Sequence, residues 1–353
     1  MTKFRPTTEQ LLAALKRCVG AHDQVGAQRT ADELIERAFE ALDGDHDPEA
    51  TEIGRHLQEV DHPAGFEIEA LVLDRNSESP KAIELLEGAV KKLPDSWRLW
   101  EMLANLYSDA ERPDDALKTY ERALACPEPE EASIRFNLAL THARAQRYDE
   151  ALKAIEPVDL DEIEDEELRL NTLAFKASVL SAAERSAEAA ELVRTTLAEI
   201  DEEDYTEETI PHIAELHAQL ARAVLDLEKD KDKALAHAID AIRIDQGNDL
   251  ALQIVRAVNG KTSAGASLMQ LTIKGVWPEP FEGEKEPREY RQTFGVIADT
   301  REQALEFAKS LSPEELRASM TIEDFETVQA TPEEPIGVCQ VSPYIFFADE
   351  EES

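Results

Sequence analysis

Between residues 97 and 124 apolar side chains return every three or four positions. Trp100, Leu103, Ala104 and Tyr107 share one helical face, and Ala116, Tyr120 and Ala123 share another. The stretch "ERPDD" between them is polar and carries a proline, so it ends one helix and starts a second. The pattern predicts a helical hairpin. Its alanines let the two helices approach closely, while the large residues fill the space between this hairpin and the next.

The second-helix alanine recurs at Ala50, Ala82, Ala116, Ala151, Ala189 and Ala234, with steps of 32, 34, 35, 38 and 45 residues. "SPKAIELLEGAVKKLP" repeats the second helix cleanly, and "RYDEALKAIEPV" does so with Ala151 and Ile155. "SAEAAELVRTTLAEI" and "DKALAHAIDAIRID" are looser, and Lys176 takes a usually apolar place. With seven residues of 97–124 in the expected positions, the pattern resembles the tetratricopeptide repeat, and the resemblance extends over about residues 31–250. It implies a mainly α fold over residues 1–260: about six hairpins wound into a right-handed superhelix, their first helices lining a concave groove.

Past "AVNGKTSAGAS" the period changes. Gly260 suits a helix C-cap, and residues 261–266 read as a linker. In "SLMQLTIKGVW" apolar and polar residues alternate, as in a half-buried strand, and "REYRQTFGVIAD" is a second. Thr300 and Gln303 form a capping box for a helix with the stripe Ala304, Leu305, Phe307, Ala308 and Leu311. A shorter helix follows Ser312 and Pro313, then "TIEDFETVQ" and "GVCQVSPYIFF" read as strands. Residues 267–348 are thus expected to be a small, separable α+β domain with an antiparallel sheet, ahead of an acidic tail at 349–353. This domain resembles no family.

Charge narrows the partners. The chain has 76 acidic and 37 basic residues, net −39, with the excess present both before and after residue 260. Phosphate backbones and anionic membranes are repelled by such a surface, so neither nucleic acid nor membrane is expected as a partner. The N-terminal segment has no continuous apolar core of the kind a secretory signal needs, which points to the cytoplasm. Cys18, Cys126 and Cys339 are far apart and predict reduced thiols, Cys339 as a core thiol in a strand.

Catalytic chemistry finds little footing. The eight histidines all precede residue 240, and no P-loop, GxGxxG, HExxH or GxSxG is present. Asp43, Asp45 and Asp47 begin like a calcium loop, but Pro48 stands where glycine is needed and Gly54 where a bidentate glutamate belongs. His212 and His217, five apart, share no helix face. No cofactor, metal or catalytic residue is therefore expected. The expectation is a non-catalytic scaffold, adaptor or assembly factor; the alternative is a ligand-binding or catalytic C-terminal module docked by the repeats.

The resemblance also suggests where a partner would bind. In some tetratricopeptide proteins asparagines of successive first helices hold a peptide backbone while lysines hold its terminal carboxylate. Asn105 and Asn137 match the asparagines. Glu101 stands where a lysine is needed, and Asn171 and Phe175 take two other clamp positions. Arg98 and Arg144 are the nearby cations able to read a carboxylate. The binding set expected from the sequence is Asn105, Asn137, Arg98, Glu101 and Arg144, and the expected partner is a protein or peptide with basic or neutral side chains. The oligomeric state is left open.

Overall fold

A computed structural model of the chain describes residues 6–201, 204–281, 287–331 and 333–347. The acidic tail expected at 349–353 lies outside them. Two compact units divide between Asp159 and Leu160. The first holds α1 (Thr8–Gly20) and four hairpins: α2 (Gln24–Asp43) with α3 (Asp47–Glu59), α4 (Pro63–Arg75) with α5 (Ser79–Lys92), α6 (Trp97–Asp109) with α7 (Pro113–Leu124), and α8 (Glu131–Arg144) with α9 (Tyr148–Ile155). The second holds two more, α10 (Glu166–Ala182) with α11 (Ser186–Glu199) and α12 (Ile210–Leu227) with α13 (Lys231–Ile244), followed by α14 (Asp249–Asn259) and an α+β segment.

The six alanines that set the period are all fully buried, each in the second helix of its hairpin. Their register is fixed by the turn before them. Asp45, Ser77, Glu111, Gln146, Glu184 and Lys229 each adopt a left-handed backbone, with φ between 55° and 59°, five positions ahead of the buried alanine. In the α6–α7 turn the Arg112 amide then reaches back to the Tyr107 carbonyl at 2.9 Å, closing the helix with the bond of a Schellman motif. Pro113 opens α7, Asp114 and Asp115 stand in its first turn and Arg122 in its last, which suits the helix dipole. Constant turn length keeps each small residue opposite its partner helix even where the period stretches to 45.

In the first unit α2 touches α4, α4 touches α6 and α6 touches α8, whereas α3, α5 and α7 make no comparable contacts with one another. First helices therefore line the narrower, inner face. The calcium-like turn is an ordinary one: Asp45 and Asp47 both pair with Arg75.

The second unit departs from the expected domain limits. Its sheet is antiparallel, in the order β3 (Thr321–Ala330), β1 (Ser267–Val276), β2 (Glu289–Ala298), β4 (Gly337–Val341), and β5 (Ile345–Phe346) pairs farther along β2. Leu271 faces Phe294 and Met269 faces Val296 across the β1–β2 ladder. These side chains, with Ala304 and Ala308 of α15 (Arg301–Leu311), share one core with Ala218 and Ala221 of α12, Ala238, Ala241 and Ile242 of α13, and Leu252 and Ile254 of α14. The supposed linker is tied down too: the Ile336 amide bonds to the Lys261 carbonyl and the Thr331 amide to the Ala266 carbonyl, each at 2.9 Å. The reason is physical. The apolar stripe of α14 has no following hairpin to cover it, and the sheet takes that place. The glycine C-cap at Gly260 is present, with φ +56°.

Local expectations for this segment hold, with one shift: the Thr300 side chain accepts from the Gln303 amide, but Gln303 answers to the Asp299 amide rather than to Thr300. Short α16 (Glu314–Arg317) completes the segment. The three cysteines are free and half-buried. Cys339 donates to the Gly295 carbonyl at 3.1 Å, and burial pushes its thiol pKa up. Among the described residues no helix is long and apolar enough to cross a membrane.

Candidate functional site

Two adjacent first helices carry the sequence-derived residues, Arg98, Glu101 and Asn105 on α6 and Asn137 and Arg144 on α8. Glu101 and Asn105 lie one turn apart on α6. Across on α8, Ser133 donates to Glu101 Oε1 at 2.8 Å and Asn137 Nδ2 donates to the same oxygen at 3.3 Å. Asn105 Oδ1 accepts from the Tyr120 hydroxyl at 2.6 Å, so the tyrosine that seals the α6–α7 hairpin also orients the amide. Asn105 Nδ2 and Asn137 Oδ1 have no hydrogen-bond partner among the described residues. An amide NH2 on one helix and an amide oxygen on the next thus keep unused hydrogen-bonding capacity.

Arg98 and Arg144 are not brought together. Arg98, in the first turn of α6, stacks 4.7 Å from the Trp97 ring centroid. Arg144, in the last turn of α8, pairs with Asp109 at 3.3 Å and approaches Ser108 at 3.5 Å, at the opposite end of α6. Ten residues of helix put these two places about 15 Å apart. They are not one carboxylate site.

Glu67 was not anticipated from the sequence. It sits on α4, is 9% exposed, and accepts no hydrogen bond from the described residues. Burial raises its pKa, Arg98 opposes that, and Glu101 adds to it. Burial likewise raises the pKa of Glu101, against the hydrogen bonds from Ser133 and Asn137. Burial thus outweighs the attraction of Arg98 at both carboxylates, and at Glu101 the two hydrogen bonds as well. The sequence signal was faint: Glu67 in "FEIEAL" looks like the polar side of an amphipathic helix, and the helix is instead buried on most of its circumference.

Glu67 and Arg98 also line a groove of about 780 Å³ with Ile35 and Phe39 of α2, His62 and Trp97. Phe39 is 40% exposed there. Its walls combine aromatic edges and aliphatic side chains with one buried acid, Glu67, and the cations Lys92 and Arg98.

In the second unit, a cavity of about 510 Å³ lies between α13 and the α15–α16 turn, lined by Ile242, Arg243, Gln246, Ser312 and Arg317 among others. One set among the described residues has metal-ligand chemistry: His217 of α12 with His237 and Asp240 of α13. Burial lowers the His217 pKa, with Asp240 opposing and His237 reinforcing the shift. His212 is not part of the set and lies 4.0 Å from Glu167.

Residues 69–127 and 101–156 match the tetratricopeptide repeat family model. No curated protein sequence matches the chain. Among solved structures, similarity is found to the C-terminal part of a TPR repeat-containing protein from Cytophaga hutchinsonii, at 12% identity and a TM-score of 0.47, covering 64% of this chain and 84% of that one. YrrB, described as a TPR protein with an unusual peptide-binding site, gives 18% identity and a TM-score of 0.41 over 56% of this chain and 94% of its own. The Naa15/Naa10 complex bound to HypK-THB gives 15% identity and a TM-score of 0.39, covering 65% of this chain and only 34% of that one.

Proposed function

We propose that this chain, in which residues 69–156 are tetratricopeptide repeats, is a non-catalytic protein-interaction scaffold that takes a peptide or helix of a partner along the inner face of its first unit. The observation that carries the reading is the row formed by Glu67, Glu101, Asn105 and Asn137 across α4, α6 and α8, with unengaged amide groups beside desolvated carboxylates. An asparagine side chain pairs with the N–H and C=O of an extended peptide without dictating its sequence. The carboxylates supply the preference. A lysine or arginine of the partner returns to Glu67 and Glu101 the stabilisation that burial removed, while an acidic side chain adds a further repulsion to a surface that is negative already. A terminal carboxylate is disfavoured, because Glu101 replaces a lysine and Arg144 is held at the far end of α8.

The alternative places a ligand or a reaction in the C-terminal segment. Its candidate cavity is lined by polar groups that the chain itself engages: Ser312 donates to the Ala308 carbonyl at 2.9 Å, and Arg317 to the Ser312 carbonyl at 2.9 Å. The scaffold reading is therefore preferred. An immobilised array of neutral, lysine-containing and glutamate-containing peptides, probed with the full chain, tests it. Retention on lysine-containing peptides that is lost on changing Glu67 and Glu101 to glutamine supports the reading; equal retention on all three classes contradicts it.

A further inference from the structure

We propose that His217, His237 and Asp240 form a binding site for one divalent transition-metal ion of the zinc class. His237 and Asp240 are three apart on α13 and share a face, and His217 meets them from the antiparallel α12. Their potential ligand atoms all lie within 4.8 Å of one another. A tetrahedral ion with bonds of about 2.0–2.2 Å needs its ligand atoms roughly 3.3–3.5 Å apart. Closing the set therefore takes shifts of about 1 Å or less, within reach of side-chain rotation. The alanines Ala214, Ala218, Ala221, Ala234, Ala238 and Ala241, all fully buried on these two helices, hold the backbones close enough for short imidazole and carboxylate arms to converge.

A second observation points the same way. Nδ1 of His217 is buried and meets no hydrogen-bond partner among the described residues, although a buried polar atom left unpaired costs on the order of 1–3 kcal/mol. An ion bound at Nδ1 itself repays that cost directly. Asp240 does have a competing partner: Arg243 Nη1 lies 3.3 Å from its Oδ1, but that arginine side chain is 73% exposed, and such a pair is weak. Two imidazoles and one carboxylate select zinc, cobalt, nickel or copper over magnesium and calcium, which prefer all-oxygen shells. With three protein ligands, the fourth coordination position is open to water. The ion would staple α12 to α13, the hairpin on which α14 packs.

The test uses the full chain, stripped of metal with a chelator that is then removed, and titrated with Co2+ and Zn2+ in a large excess of Mg2+ to saturate the acidic surface. The expected result is one cobalt per chain, with the intense visible band of a four-coordinate site, displaced by one equivalent of zinc. His237→Gln and Asp240→Asn should each weaken zinc binding at least about tenfold, while His212→Gln should leave it unchanged. A spectrum that stays that of six-coordinate aqueous cobalt overturns the proposal, as does zinc affinity unaltered in both variants. Circular dichroism checks that each variant is folded; should His237→Gln not be, Asp240→Asn at its half-buried position decides.

Discussion

Leu252 belongs to the core that joins α12–α14 to the sheet, and it is fully buried. Replacing it by alanine removes three carbons from a core that also holds Ala218, Ala221, Ala241 and Ala251, side chains too short to fill a hole left beside them. Incomplete collapse puts the cost toward the upper part of the range for buried leucines, about 3–4 kcal/mol out of 2–5. With a urea dependence of about 2–3 kcal/mol per M for a unit of this size, the unfolding midpoint should fall by about 1–2 M. The assay is fluorine NMR of the full chain labelled with 5-fluorotryptophan. Trp277 sits among Tyr290, Tyr344 and Phe346 at ring distances of 5.3–6.2 Å and so reports on the sheet, whereas Trp97 and Trp100 belong to the first unit. If α14 and the sheet share a core, a substitution in the helix moves the Trp277 transition. A Trp277 midpoint that stays put in Leu252→Ala refutes the shared core and restores a boundary at residue 260.

Three further outcomes follow from the same physics. Ala116→Leu overpacks the closest approach of α6 and α7 and should cost about 1–3 kcal/mol in urea unfolding, with Trp97 and Trp100 as probes. Glu111→Gly, at φ +56° in an exposed turn, should raise stability by about 0.5–1 kcal/mol, whereas glycine elsewhere in a helix lowers it. Glu67 and Glu101 hold their protons more tightly folded than unfolded, so their contribution to stability is fully present below the ordinary carboxylate value of 4.5 and falls as pH rises through the raised values. Changing both to glutamine should flatten that part of the stability profile and make the protein more stable at pH 7; an unchanged slope rules out the desolvation argument.

The hairpins were legible because one small residue must recur wherever two helices touch, and Ala50 through Ala234 keep step even as the period lengthens. The strands at 267–276 and 289–298 were legible from alternation alone. What covers their apolar face was not. "GKTSAGAS" has the composition of a linker, and nothing in it tells that Lys261 and Ala266 bond to the strand-joining loop some seventy residues on. Asn105 and Asn137 could be placed on one face from their repeat positions, but Tyr120 reaching back to Asn105, and Glu101 joining Ser133 to Asn137, depend on how α6, α7 and α8 pack. The histidine set was hidden for a related reason: attention to His212 and His217 on a single helix misses His237 and Asp240, which approach His217 only through the pairing of α12 with α13.

The inner-face account meets its most direct test in calorimetry of the full chain against a lysine-bearing peptide retained on the array, beside the Asn105→Ala, Asn137→Ala double variant, at low and high salt. Removing both amides should weaken binding by about 1–3 kcal/mol, a factor of roughly 5 to 150, with helix content unchanged. Higher salt should weaken it further, since contacts near the surface are screened over about 8–10 Å. Affinity that is the same in wild type and double variant at both salt concentrations would contradict the account and move the binding surface away from α4, α6 and α8.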